Sequence, residues 1–432
     1  MTRIRKAGEG TRLILEVRKY ISRLPEKIWF RAMLFSLAAI LAATAAEWIG
    51  PLVPYKSDLE LASGSVGGIL KILASSMLAG IAFSVSIMVS AYGSATSTAT
   101  PRTIALMLAD DRSQNALSTF LGTFLFSIVG IIGLSAGFYD NRGRIILFFA
   151  TIAVIVLITG TLINWIQQLS TFGRMNDLIE RVEKATAKAL RWHGQHPYLN
   201  AQPPVDIPED AISLQCDISS GVVTSIDLEA LEETAEEHGV TVYLAIHPGK
   251  LVYPARPLLY LKGQKAIEVD PQPFRDAILI EHDRSFDQDP RFGLVVLSEI
   301  ASRALSPAVN DPGTAISVLD SGLRCFEALA QASAEPEEPK YKRVHGPEIE
   351  LRDLFTDFFT KIARDGAGMV EVQQRIQLCL LALAKSWPEL FSATASEASR
   401  NALARAEEVI IHEPDIADLK ARSQKVVETS EK

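Results

Sequence analysis

Hydrophobic and polar positions divide this chain into two halves. From about Met33 to Leu169 apolar residues form long uninterrupted runs; beyond that they become periodic and interleave with charge. A helix needs roughly 20 apolar residues to cross the hydrocarbon core of a bilayer. Four stretches satisfy this, at about 33–53, 69–92, 116–138 and 145–169. Glu47 and Trp48 suit an interface, and Pro51 with Pro54 ends the first stretch. Only residues 139–144 separate the third from the fourth, which predicts an antiparallel hairpin. The start lacks a small-residue cleavage pattern, so the first stretch reads as a span and not as a signal peptide. The expected fold is a four-helix transmembrane bundle followed by an α+β cytoplasmic region, made of a small β-barrel-sandwich-like module plus a helical domain.

Charge orients the spans. Arg3, Arg5, Lys6, Arg12, Arg18, Lys19, Arg23, Lys27 and Arg31 precede the first, and Arg174, Arg181, Lys184, Lys188 and Arg191 follow the fourth. The first outer connection offers only Lys56, and Arg142 with Arg144 flanks the second. The positive-inside rule then places both termini in the cytoplasm. Within the arm, Leu13, Ile14, Val17, Ile21 and Leu24 recur at near-helical spacing among basic residues. That is the pattern of an amphipathic helix on an anionic leaflet, or of a helix packed on the cytoplasmic domain. The domain boundaries expected are a basic arm at 1–31, a transmembrane domain at 32–170, a helical extension and linker at 171–208, a β-sandwich-like module at 209–265, a helical domain at 266–415 and a charged, frayed tail at 416–432.

The 432-residue chain has mean hydropathy +0.16 and 48% hydrophobic residues, high for a water-soluble protein. The net charge of −8 belongs mainly to the second half and argues against a nucleic-acid partner. Cys216, Cys325 and Cys379 lack metal-ligand spacing and read as buried thiols of a reducing compartment. No Asp, Glu or His falls near a bilayer midplane, which argues against a proton relay of such groups; Lys71, near the start of the second span, is placed to snorkel or to pair with Glu47.

The second span is small and hydroxyl-rich, with Ser76, Gly80, Ser84, Ser86 and Ser90. Such residues either let helices approach closely or line a wet path. A candidate cytoplasmic mouth follows: Ser94, Thr96, Thr98, Thr100 and Arg102, with Gln167 and Gln168 at the end of the fourth span. Thr100 before Pro101 is also a plain helix start, opening a short helix at 101–109.

In the second half the fourth span is expected to continue as a helix to Arg191, before a linker at 194–208 that carries His196 close behind His193. Residues 212–261 read as short strands around an acidic helix (227–238), with a His247-Pro248-Gly249 turn before a strand at 251–261. This module is similar to lipoyl and biotinyl domains but has no lysine in a tight hairpin, so it reads as a structural or docking unit. Asp283, Asp287 and Asp289 lack the glycine and distal glutamate of a calcium loop and read as a solvated acidic loop. Helices are expected at 289–305, 314–331, 351–365, 367–386 and 396–412, with an acidic loop at 332–339. A candidate ligand or interface motif lies between the first two: Arg303, Ser306, Pro307, Asn310, Asp311 and Thr314. There Asp311 caps and Pro312 sits in the first turn, offering either simple capping or an anion site assisted by Arg284, Arg303 and Arg324.

These segments together carry a resemblance. Phe83-Ser84-Val85-Ser86 runs toward Pro101-Arg102, Leu121-Gly122-Thr123-Phe124 lies in the third span, and Asp289 to Gly293 and Arg303 to Pro312 mark the second half. The chain resembles, over nearly its whole length, the bacterial predicted membrane proteins called domain of unknown function 2254. The resemblance implies the architecture and a bacterial inner-membrane address, and no reaction. Family members often carry histidines near the end of the fourth span, where this chain has Gln167 and Gln168, which argues against a proton or metal role there.

No phosphate loop, HExxH, nucleophile elbow or zinc spacing is present, so the expectation is a non-enzyme with no cofactor and no metal. Two functions fit: a homo-oligomeric channel or transporter for an ion or small solute, with a cytoplasmic vestibule or gate; or a membrane-anchored sensor or scaffold that binds a ligand or partner through its cytoplasmic domain.

Overall fold

The computed structural model describes Phe30, Met33, Leu37 and Leu41 together with residues 63–139, 141–217, 219–264 and 266–430. The basic arm at 1–31 and the first span at 33–53, with Glu47 and Lys56, otherwise lie outside the described residues. Contacts divide the chain into two compact units. One holds the apolar helices, up to Ser97 and again over 104–177; the other holds 178–432 together with the short segment 98–103.

Three helices of the first unit are long and apolar enough to cross a membrane: 65–98, 111–135 and 143–169. They belong to α1 (Ser63–Thr98), α3 (Asp111–Ser135) and α4 (Asn141–Thr171), with a short α2 (Ile104–Leu108) between the first two. The third expected span thus starts five residues early. Asp110 accepts from the Ser113 amide (2.9 Å) and hydroxyl (2.5 Å), satisfying orphan donors of the first turn. Leu70, Phe126 and Leu147 form the packed centre. Gly130 lets α1 approach, since a Cβ there would lie 2.9 Å from Leu70 Cδ1. The fourth span does not continue into the following helix. Gly173 takes a left-handed φ of +76°, with its Cα edge against Ala91, and α5 (Met175–Gln195) begins anew.

The second unit contains two sheets. The larger has strand order β1-β8-β4-β6-β2 and the smaller β5-β3-β7. The strands are β1 (Ala201–Gln202), β2 (Ile212–Gln215), β3 (Gly221–Ile226), β4 (Thr241–Leu244), β5 (Leu251–Val252), β6 (Pro257–Lys262), β7 (Ile278–Glu281) and β8 (Tyr341–His345). Helix α6 (Leu228–His238) starts at its Asp227 cap and stops at Gly239, φ +64°. A short α7 (Gln272–Asp276) leads into β7. Leu231, Val242, Leu259, Phe274 and Val344 lie in one apolar core.

Two expectations for this module change. The strand at 251–261 is split by a bend at 253–256, with Ala255 at φ +73°. As a result β5 pairs with β3, while β6 pairs with β4 and β2. Nor does the module close within 209–265. It takes β7 from beyond that range and β8 from 341–345, which runs parallel to both β1 and β4. A strand ordered by parallel partners from distant sequence is a mixed α+β sheet and not an antiparallel sandwich of hairpins.

The helical part comprises α8 (Pro290–Ala304), α9 (Pro312–Ser333), α10 (Leu351–Phe355), a π-helical stretch (Thr356–Thr360), α11 (Lys361–Asp365), α12 (Val370–Ser386), α13 (Pro388–Glu407) and α14 (Glu413–Ser430). The expected frayed tail is therefore α14, held down by buried Leu419 and Val426. Buried Ser423 joins it to Ser399 (2.7 Å), which in turn donates to Gln377 Oε1 (2.6 Å).

Candidate functional site

Helix α8 organises the candidate site. At its start Pro290 occupies the first turn, where its missing N–H costs nothing, and Asp289 caps the helix. Asp289 is only 1% exposed, so the expected solvated acidic loop at 283–289 is corrected at this residue. Its carboxylate accepts from the Arg291 and Phe292 amides (3.1 and 3.2 Å) and from both arms of Arg284 (2.7 and 3.0 Å). The His247-Pro248-Gly249 turn closes over it: Gly249 has φ +88°, and a Cβ there would collide with the Asp289 carboxylate. Arg291 beside it pairs with Asp353 and, at 2.7 Å, with Asp357. Arg284 is thus committed to Asp289, and Arg324 is committed to Glu183 by two bonds of 2.7 Å. Neither supports an anion site at Asp311.

Midway along α8, Glu299 accepts from Arg102 Nη1 at 2.7 Å and from the Thr100 hydroxyl at 3.3 Å. Residues 98–103 therefore pack with the α+β unit and not with the helices they connect in sequence. Thr100 is buried, and Pro101–Thr103 makes one 3₁₀ turn before α2. The structure brings these two residues of the expected mouth together through an acidic partner that sequence reading missed. Glu299 lay unremarked in an amphipathic helix, and its one signal was a carboxylate facing a long-range arginine.

At the far end of α8 the Arg303 to Thr314 motif closes on itself. Ser306 donates to the Arg303 carbonyl, Asn310 takes φ +51°, and the Asp311 amide donates to the Ala304 carbonyl at 2.8 Å. Asp311 then accepts from the Thr314 amide (3.0 Å) and hydroxyl (2.6 Å), which hold its pKa below the ordinary carboxylate value. Arg303, Pro307, Asn310 and Asp311 are exposed. The helix start that was a candidate anion site is filled by its own cap.

In the membrane helices the five small residues of α1 separate into two faces. Ser84 is buried and accepts from Trp165 Nε1 at 3.0 Å, so it is a helix-packing residue. Ser76, Ser86 and Ser90 are exposed, and Gly80 has open space where a side chain would stand. Toward its end Ser94 and Thr98 are exposed, while Thr96 bonds back to the Tyr92 carbonyl. Gln168 is buried and accepts from Arg112 at 3.3 Å; Gln167 is exposed. The structure also places hydroxyls where no expectation put them. Ser118 and Ser127 of α3 are fully buried, with oxygens that meet no hydrogen-bonding partner among the described residues.

Cys216, Cys325 and Cys379 are buried; burial drives the Cys325 thiol well above its ordinary value and Cys379 up to about 12. No cluster of His, Cys, Asp and Glu that would hold a metal ion occurs among the described residues. His193 and His247, both buried, are held neutral. Burial first, and the nearby His247 second, depress His193 to about 4. Burial likewise lowers His247, against a bond to the Pro248 carbonyl that favours its charge.

The His193 shift predicts an acid sensitivity. Its folded pKa lies below the ordinary 6.5, so the unfolded chain takes up the proton first as pH falls. Stability is complete above pH 6.5, drains between 6.5 and about 4, and levels below that. The loss is about 3 kcal/mol, at about 1.4 kcal/mol for each tenfold change in proton affinity. Melting temperature measured across this range should flatten in His193→Phe; an unchanged slope refutes the assignment.

Apolar helices of membrane-crossing length followed by an α+β unit of mixed sheets fit a helical membrane protein. The model of the family described as "Predicted membrane protein (DUF2254)" matches residues 25–382, and the chain belongs to that family. Uncharacterized proteins of Mycobacterium bovis and Mycobacterium tuberculosis are each 26% identical to it over 321 residues. The match covers 68% of this chain and 59% of theirs, so the chain spans about three fifths of the length of these relatives. No solved structure matches.

Proposed function

We propose that this chain forms a homo-oligomeric channel or transporter in a bacterial inner membrane, with cytoplasmic termini, in which α1 faces the shared axis. The observation that supports this reading is the outward face of α1. Gly80 and Gly93 have no atom within 4 Å of where a Cβ would stand, and Ser76, Ser86 and Ser90 are exposed beside them. Small residues in membrane helices serve close approach, yet nothing among the described residues approaches here. Bulky side chains stand out beside them on α1 (Ile72, Phe83 and Val89), as they do on α4 (Phe149, Val156 and Ile166), so the outer surface is suited to lipid in part. A second copy, or a wet axis between copies, would account for the small and hydroxyl-bearing positions among them. The Arg102–Glu299 pair then acts as the gate's lever, because α1 runs directly into the segment that this pair fixes to α8.

Reconstituted protein should pass a small ion or solute above empty liposomes and run as an oligomer in detergent. Gly80→Leu and Gly93→Leu should shift it toward monomer and remove the flux. Arg102→Ala and Glu299→Gln should alter flux to a similar degree, and the double variant no more than either alone, because both break one interaction. A monomeric wild type that conducts nothing sinks the reading.

A further inference from the structure

A cavity lies between the π-helical stretch and α13, with a volume of about 240 Å³. Its floor is apolar: Phe355, Phe359, Ala363 and Ala402, all buried. Its walls are polar and uncommitted. Thr356, Thr360 and Thr394 line it, and none of their hydroxyls makes a hydrogen bond among the described residues. Elsewhere helical threonines turn the hydroxyl onto the carbonyl four residues back, as do Thr119, Thr186, Thr234 and Thr429. At Thr356 and Thr360 the winding is π-helical, which changes the register of the turn behind each side chain. π-Helical turns are often found at functional sites.

The charges around the cavity are unequal. Arg352 pairs with Glu397 across the rim. Arg405, half-buried and in the same lining, has neither an ion pair nor a hydrogen bond among the described residues. One guanidinium is thus left over, in a fork geometry that matches a carboxylate bidentately. We propose that this cleft binds a small organic carboxylate: the acid group on Arg405, its oxygens bonded by the threonine hydroxyls, and its apolar body on Phe355 and Phe359. Two features set the class. A single unmatched positive charge, beside the Glu397 carboxylate, favours a monoanion over a phosphate dianion. The volume lies below the roughly 300–1,000 Å³ of pockets for drug-sized ligands, which limits the apolar body to a ring or a short chain. Helix α13 lies beyond the residues matched by the family model, so half of this site comes from the chain's own C-terminal helices. The site stands whether or not the helical bundle conducts.

The test is isothermal titration calorimetry on the full chain in detergent, with benzoate and hexanoate as probes and inorganic phosphate as the discriminating arm. Both carboxylates should bind saturably with Kd on the order of 0.1–1 mM, as befits so few heavy atoms. Arg405→Gln should weaken them at least tenfold while leaving the melting temperature unchanged, because Arg405 holds nothing in the fold. Thr356→Val with Thr360→Val should weaken them several-fold. Micelles absorb hydrophobic acids, so only heat that disappears in Arg405→Gln counts as site binding. The proposal is overturned if neither carboxylate saturates by about 10 mM, if Arg405→Gln binds as the wild type does, or if phosphate binds more tightly than both.

Discussion

Replacing Asp289 by alanine is expected to lower the melting temperature of the α+β unit by roughly 6–12 °C. The carboxylate is almost wholly buried and serves three partners at once: the first turn of α8, the fork of Arg284 and the closed His247–Gly249 turn. Removing it leaves Arg284 without its ion-pair partner, and that side chain is only 25% exposed. Breaking one side of a buried pair costs about 3–5 kcal/mol, and a lost cap contributes about 1 on its own. The partial exposure of Arg284 argues for the lower end. Asp289→Asn, which keeps an acceptor for the helix amides but loses the charge, should fall between. The three buried cysteines provide the readout, since a thiol-reactive dye labels them only as the fold opens. A drop in Asp289→Ala below about 3 °C would show that the pair contributes little beyond ordinary capping.

Gly322→Ala should cost about 2 kcal/mol although alanine is the better helix former. Gly322 lies within α9, and a Cβ there would collide with the ring of Phe358. That ring cannot retreat. It is fully buried, with Phe326 at 6.0 Å and Phe359 at 4.9 Å between ring centroids. The π-helical winding makes this crowding necessary, because it buries Phe355, Phe358 and Phe359 together, within one extended turn. The helix-propensity gain of about 1 kcal/mol offsets only part of an overpacking strain of about 1–3 kcal/mol or slightly more. Pairing the substitution with Phe358→Leu should recover part of the loss, a coupling visible in a double-mutant cycle of melting temperatures. If Gly322→Ala alone raises the melting temperature, the packing argument is wrong.

Local patterns in the sequence proved to be those with local physics. Length and apolarity suffice to mark a helix long enough to cross a membrane: the expected spans at 69–92 and 145–169 lie in such helices, and the third, at 116–138, overruns its helix by three residues. Asp227 with Gly239, and Asp311 with Pro312, mark helix ends because a cap bonds amides two or three residues away. The frayed tail and the continuous fourth span fail for a related reason. A polar helix such as α14 is secured by Ser399 and Gln377 on other helices, and the break at Gly173 answers to Ala91, far back in the chain. Strand β8 escaped notice because only Val344 of Tyr341-Lys342-Arg343-Val344-His345 is fully buried, so no alternation is visible without its neighbours.

The candidate site follows the same division. The residues of the Arg303 to Thr314 motif stood out in the sequence, and their chemistry turns out to be closed within those twelve residues of chain. Asp289 was read as solvated because Asp283, Asp287 and Asp289 look alike until a turn some forty residues earlier covers one of them. Glu299 meeting Arg102, nearly two hundred residues apart, is likewise a tertiary fact. By itself the sequence determined that this chain carries membrane-crossing helices and an acidic, mixed second half, since both follow from composition and period along the chain. Only the tertiary structure decided which serines of α1 pack and which face outward, which carboxylates are buried, and where an unpaired arginine stands beside idle hydroxyls. Burial and pairing are properties of neighbours in space, and the chain names its neighbours only once it has folded.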